Sequence, residues 1–157
     1  MQKITTCLWF DGKVEEAINF YTSVFKNSTL KDISYYGEGQ HQPAGTVLVA
    51  TFILDGQEFM ILNGGSMFKL TEAVSLSVKC KTQEEIDFYW TTLSSDGGEE
   101  SVCGWLKDKY GLSWQIVPAE LNDWVQGKDT KKSANVMQAI MKMGKLDIKT
   151  LKETYEQ

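Results

Sequence analysis

The sequence predicts an α+β fold of two successive β-α-β-β-β modules closed by a C-terminal helical extension. Three observations predict it. A helix motif occurs twice, as Glu16-Ala17-Ile18-Asn19-Phe20-Tyr21 and Glu84-Glu85-Ile86-Asp87-Phe88-Tyr89, a shift of 68 that also lays Leu8 on Leu76 and Phe10 on Val78. A second echo, at a shift of 55, sets Asp55-Gly56-Gln57-Glu58-Phe59-Met60-Ile61-Leu62 against Tyr110-Gly111-Leu112-Ser113-Trp114-Gln115-Ile116-Val117. Around each helix motif lie short stretches rich in β-formers and bounded by turn residues, so each repeat reads as one mixed supersecondary unit.

Ile4–Phe10 alternates and reads as the first strand, broken by Asp11-Gly12. Val14, Ala17, Ile18, Tyr21 and Phe25 recur at helical spacing, which predicts an amphipathic helix over 14–25. Residues 29–36 read as a strand, and 37–45 as a polar loop carrying the chain's single histidine, His41. Val47–Leu54 and Glu58–Leu62 form a hairpin across Asp55-Gly56, a dipeptide suited to positive φ. Asn63-Gly64-Gly65 opens a connecting loop. The second module begins with a strand over 73–78, and Thr82 with Glu85 has the form of a capping box for a helix running to Leu93. Gly97-Gly98 is a turn, 101–107 a strand and 112–117 the closing strand, with Pro118 placed where a helix can begin. The rest reads as helical, with apolar stripes at Val136, Met137, Ile140, Met141, Met143 and at Ile148, Leu151, Tyr155. Residues 1–118 are therefore expected to form one domain (modules 1–65 and 72–118), and 119–157 the extension.

Bulk properties exclude several functions. The chain has 157 residues, enough to bury roughly 70% of its unfolded surface. A net charge of −5 without a basic stripe argues against nucleic acid. No apolar run approaches the roughly 20 residues that span a bilayer, and Met1-Gln2-Lys3 leads directly into the first strand, so neither membrane insertion nor secretion is expected. Cys7, Cys80 and Cys103 are an odd count with no CxxC, which suits free thiols in a reducing cytoplasm.

Leu8-Trp9-Phe10-Asp11-Gly12, Glu16-Ala17, Phe20-Tyr21, Asn63-Gly64-Gly65 and the run from Cys103-Gly104-Trp105 to Gln115-Ile116-Val117-Pro118 resemble the PhnB-like branch of the glyoxalase/bleomycin-resistance/dioxygenase (vicinal oxygen chelate) superfamily. Members of this branch often carry the label 3-demethylubiquinone-9 3-methyltransferase. The tail around Val136-Met137 and Lys145-Leu146-Asp147 is similar to the same branch. The resemblance implies a half-open curved mixed sheet with a central cleft, and a homodimer.

Strand alternation sorts side chains between the helix-packed face and that cleft. Leu8, Phe10, Phe59, Ile61, Val74, Leu76, Val78, Trp114 and Ile116 belong with the helices. Thr5, Cys7, Trp9, Met60, Leu62, Ala73, Ser75, Ser77, Ser113 and Gln115 belong with the cleft. In metal-dependent relatives four cleft positions supply His, Glu or Gln. Carried over, they fall on Thr5 or Cys7, Met60, Ala73 or Ser75, and Gln115. None is a histidine or carboxylate, the donors such an ion needs, so no metal site is expected. His41 folding over from its loop, or Glu58 beside Met60, could rebuild one. Asp11 and Asp108 read as turn formers. Cys7 and Cys103 read as structural thiols, since neither shows the electropositive setting a reactive thiolate needs.

What remains is an apolar and aromatic pocket with a few neutral polar handles: Cys7, Trp9, Met60, Ser75, Ser77, Trp105 and Gln115. Three functions compete. One is metal-independent small-molecule binding without a cofactor. Another is a metal-dependent lyase, isomerase or dioxygenase with unconventional ligands. The third is the methyltransferase of the family label, against which stands the absence of a GxGxxG turn.

Overall fold

A computed structural model describes residues 3–157. Met1 and Gln2, which the sequence places just ahead of the first strand, lie outside the described residues. The chain forms two compact units, the first ending at Leu70 and the second spanning Thr71–Gln157.

The first unit contains β1 (Thr6–Phe10), α1 (Val14–Val24), β2 (Thr29–Tyr35), β3 (Val47–Leu54) and β4 (Gln57–Asn63). Its sheet runs in the order β1-β4-β3-β2, with β1 parallel to β4 and the other pairs antiparallel. The hairpin between β3 and β4 turns on Asp55 (φ 46°) and Gly56 (φ 81°), the left-handed pair that matches strand twist. The apolar stripe of α1 seats Ala17, Ile18 and Tyr21 at 2% exposure or less on the sheet. Burial on this scale contributes about 1.5–3 kcal/mol per large side chain.

The second unit repeats the plan with β5 (Ser75–Cys80), α2 (Gln83–Leu93), β6 (Glu99–Glu100), β7 (Trp105–Lys107) and β8 (Ser113–Pro118). Its sheet order is β5-β8-β7-β6, and β5 is parallel to β8. Thr82 caps α2 by accepting from the Glu85 amide, while the Glu85 carboxylate reaches back to the Lys81 amide at 2.6 Å. The capping box is thus displaced by one residue from its usual target, the amide of the cap itself.

Three helices follow: α3 (Leu121–Val125), α4 (Thr130–Ile140) and α5 (Ile148–Glu156). Val117, Trp124, Val136, Ile140, Leu146 and Leu151 form their core. The Asp129 and Asp147 side chains cap α4 and α5. Backbone bonds pin the segment after α4 to the β6–β7 turn: Cys103 donates to the Met143 carbonyl and Gly104 to the Gly144 carbonyl, both at 2.8 Å. The Gln83 side chain donates to the Leu146 carbonyl and accepts from the Ile148 amide.

The structure corrects several expectations. The strand expected over 101–107 is a hairpin, because Cys103 (φ 59°) and Gly104 (φ 80°) adopt left-handed backbone and turn the chain between β6 and β7. Pro118 ends β8, and the following helix starts only at Leu121. Met137 and Met141 are 44% and 69% exposed, so the methionine stripe is buried only at Val136 and Ile140. Val74 is 62% exposed ahead of β5 instead of packing under a helix.

Register supplies a further correction. Leu8 pairs with Ile61 and Val78 pairs with Ile116, so Val78, not Leu76, stands where Leu8 stands. The first strands are therefore related by 70 positions, while the helix motifs keep their shift of 68. Ile18 lies eight positions after Phe10 but Ile86 only six after Cys80, and the shorter connection absorbs the difference. A displacement of one pleat preserves the face of every side chain, so the parity sorting survives.

Candidate functional site on the open sheet faces

In the first unit the face away from α1 carries Cys7, Trp9, Met60 and Leu62. The opposite face is closed by Leu8, Phe10, Phe59 and Ile61, none more than 5% exposed. Cys7 stands in register with Met60 and Trp9 with Leu62, which makes two adjacent cross-strand pairs. Cys7 is exposed, not the buried thiol expected, and the partial desolvation it does undergo raises its pKa.

Trp9 is held firmly. Its indole N–H donates to the Gly65 carbonyl at 2.8 Å, and Phe68 meets its ring edge-on at 4.8 Å. A Cβ on Gly64 would stand 2.2 Å from the Trp9 ring, so glycine there is a requirement of close approach. Asn63, read from sequence only as the start of a loop, is buried and ties the same region together. It accepts from the Gly12 amide through its side chain and from the Tyr36 hydroxyl through its carbonyl, and it donates to the Val47 carbonyl.

The two residues that could rebuild a metal site have other engagements or surroundings. Glu58 accepts from Lys31 at 2.6 Å and from Thr5 at 3.3 Å. The Lys31 bond holds its carboxyl below the usual range. His41 is exposed in its loop, which passes Gly65. Among the described residues no group of three or more His, Cys, Asp or Glu side chains could hold a metal ion. The positions that the resemblance implies as ligands offer a hydroxyl or thiol (Thr5 or Cys7), a thioether (Met60), no donor or a hydroxyl (Ala73 or Ser75) and an amide (Gln115), a poor set for the divalent ion of the metal-dependent relatives.

In the second unit Ser77, Gln115 and Trp105 form one row across three strands, Ser77 paired to Gln115 and Gln115 to Trp105. Gln115 donates its side-chain amide to the Ser75 hydroxyl at 2.8 Å, a diagonal bond that orients it. One pleat away Ser113 pairs with Lys107. Beside the β6–β7 hairpin lies a hollow of about 400 Å³, lined by Trp105, Lys107, Ser113, Glu72, Glu99 and residues of the turn. The sequence identifies Trp105 from this lining but misses Lys107, Glu72 and Glu99, because only tertiary contact joins them. Ser113 was within reach, since parity puts it on the open face with Gln115.

The two aspartates read as turn formers divide. Asp11 lies in the break after β1. Asp108 is buried and accepts from the Tyr110 and Leu112 amides and the Trp114 indole N–H, which makes it the pivot of the β7–β8 turn. The cysteines are free, and burial first, then Glu85, pushes the Cys80 thiol to about 12. No helix among the described residues is long and apolar enough to cross a membrane.

The family model of 3-demethylubiquinone-9 3-methyltransferase matches residues 2–117, leaving the helices after β8 beyond it. The PhnB protein of Bacillus cereus, described under the same label, is 46% identical with a TM-score of 0.68, over 74% of this chain and 99% of that one. Protein PA1353 of Pseudomonas aeruginosa shares the fold at 18% identity and TM-score 0.61, over 75% of this chain and 98% of its own. A structure of FosX, the fosfomycin resistance protein of Listeria monocytogenes, solved with Mn(II), shares it at 16% identity and TM-score 0.55, over 76% of this chain and 94% of its own. Among curated proteins none matches. With the strand order, the repeat and nearly three quarters of its length accounted for, the chain belongs to the PhnB-like family labelled 3-demethylubiquinone-9 3-methyltransferase, within the glyoxalase/vicinal oxygen chelate superfamily.

Proposed function

We propose that the protein binds a small molecule without a metal, using the open faces of its sheets. Cys7, Trp9 and Met60 serve in the first unit, and Ser75, Ser77, Trp105 and Gln115 in the second. One observation carries this reading: Cys7 with Met60 and Ser77 with Gln115 form neutral, half-apolar cross-strand pairs held in register by the backbone. Apolar walls with a few oriented polar atoms are the usual makeup of small-molecule sites. Gln115, bonded to Ser75, presents a fixed amide to whatever lies above it.

The methyltransferase label finds little support in the fold. S-adenosylmethionine commonly sits at a glycine-rich turn leading from a parallel strand into a helix. Gly64-Gly65 follows β4 and leads into a loop, and Gly97-Gly98 follows α2. Absence of heat on mixing with millimolar S-adenosylmethionine is expected in calorimetry.

The homodimer implied by the family is part of the same proposal, and exposed Met137 and Met141 offer apolar surface for it. Sedimentation equilibrium should show a dimer. The free cysteines suit a reducing, cytoplasmic compartment.

The deciding experiment is elemental analysis of untreated protein alongside native mass spectrometry. We expect substoichiometric metal and a co-purified organic mass that Gln115→Ala and Met60→Ala reduce. About one tightly held ion per chain, surviving chelator dialysis and lost in Gln115→Ala, would overturn the reading.

A further inference from the structure

We propose that the hollow beside the β6–β7 hairpin is a binding site for a small organic cation, an ammonium group carried on an apolar or aromatic body. The proposal rests on the reading that the second unit's open face takes up a small molecule, and it names that molecule's charge.

The lining carries three carboxylates, Glu72, Glu99 and Glu100, against the single cation Lys107. Lys107 already lies 2.7 Å from Glu72 and 3.8 Å from Glu99. The hollow therefore keeps a formal excess of two negative charges after its internal ion pairing, and at near-neutral pH it disfavours an anion.

Acidic side chains alone do not make a site, and here a second feature points to a ligand. Ser113 is 1% exposed, and its Oγ has no hydrogen-bond partner among the described residues. It lines the hollow, and its cross-strand pairing with Lys107 puts both side chains on the same face. A buried hydroxyl without a partner is costly, and a polar group entering the hollow relieves that cost. Trp105 forms an aromatic wall in the same lining, and the face of an indole attracts an ammonium ion. Exposed Val102 adds apolar surface from the turn. The volume of about 400 Å³ falls within the range of small-molecule sites.

The turn that shapes the hollow is also constrained. Ser101 donates to the Trp105 carbonyl and Trp105 to the Val102 carbonyl, both at 3.0 Å, while Cys103 and Gly104 are tied to the segment after α4. The backbone that carries Trp105 therefore meets a ligand largely preorganised.

Three probes of one shape test the proposal: 3-phenylpropylammonium, 3-phenylpropanol and 3-phenylpropanoate, titrated by chemical-shift perturbation on the full chain. We expect the cation to shift the Trp105 indole and Ser113 amide signals. Its affinity should exceed that of the alcohol by about tenfold, decline as salt is added, and fall severalfold in Glu72→Gln and Glu100→Gln. The carboxylate should leave these signals unmoved. Ser113→Ala should weaken the cation while leaving the folded spectrum intact. Equal binding of cation and alcohol, sensitive to Gln115→Ala, would overturn the charge assignment and leave metal-free binding standing. Tighter binding of the carboxylate, or no binding of any probe at these residues, would overturn the proposed site.

Discussion

The first unit's open face pairs a thiol with a thioether and an indole with a leucine. The second unit's, built on the same strand order, pairs serines with glutamine and lysine and adds a carboxylate-rimmed hollow. Their helix seats differ as well. In α1 the repeated Phe-Tyr motif sends Tyr21 fully into the core, whereas in α2 Phe88 is 51% exposed and Trp90 takes the buried seat with Ile86 and Leu93. Backbone pairing and the apolar character of the covered face are what the two units keep. Side chains on the open face do not pack under the helices, so the helix seat does not hold them alike.

The largest expected effect concerns a device particular to the second unit. Asp108→Ala removes the shared acceptor of two amides and an indole N–H in a buried turn, and should cost about 4 kcal/mol in urea denaturation. A loss below about 1 kcal/mol would show that the β7–β8 turn stands without its carboxylate.

Next comes the exchange of helix seats. Tyr21→Ala should cost about 3–4 kcal/mol and Trp90→Ala about as much, while Tyr89→Ala, the sequence counterpart of Tyr21, should cost about 1 kcal/mol. Equal losses at Tyr21 and Tyr89 would mean that the repeat preserves the seat after all.

The smallest effect is electrostatic. Lys107 holds the Glu72 carboxyl below its ordinary range, chiefly by its hydrogen bond, and Lys145 does the same for Asp87. Carboxyl groups depressed in the folded state contribute stability above their unfolded pKa, about 4, and lose it as pH falls through the folded value. Both pairs are solvent-facing, so unfolding midpoints should decline only slightly on acidification, and less still in high salt. The Glu72→Gln variant should flatten the second unit's share of that decline.

Much of this was legible in the sequence. The repeat, the helix stripe of α1, the Asp-Gly hairpin, the Thr82 cap and the division of faces all follow from local chemistry. Strand side chains alternate with period two, so Cys7, Trp9, Met60, Ser77 and Gln115 could be assigned to the open face without a fold. Neutral donors at the ligand-equivalent positions were equally visible.

The tertiary structure decided what depends on distant partners. It set the first strand of the second unit one pleat from where the repeat suggested, because the shorter connection to α2 leaves face parity unchanged and sequence cannot distinguish the two registers. It split 101–107 into a hairpin, because Cys103 and Gly104 find backbone acceptors at Met143 and Gly144, some 40 residues on. It also brought Glu72, Lys107 and Ser113 to one hollow. Periodicity reports which way a side chain points; only long-range pairing decides what it meets.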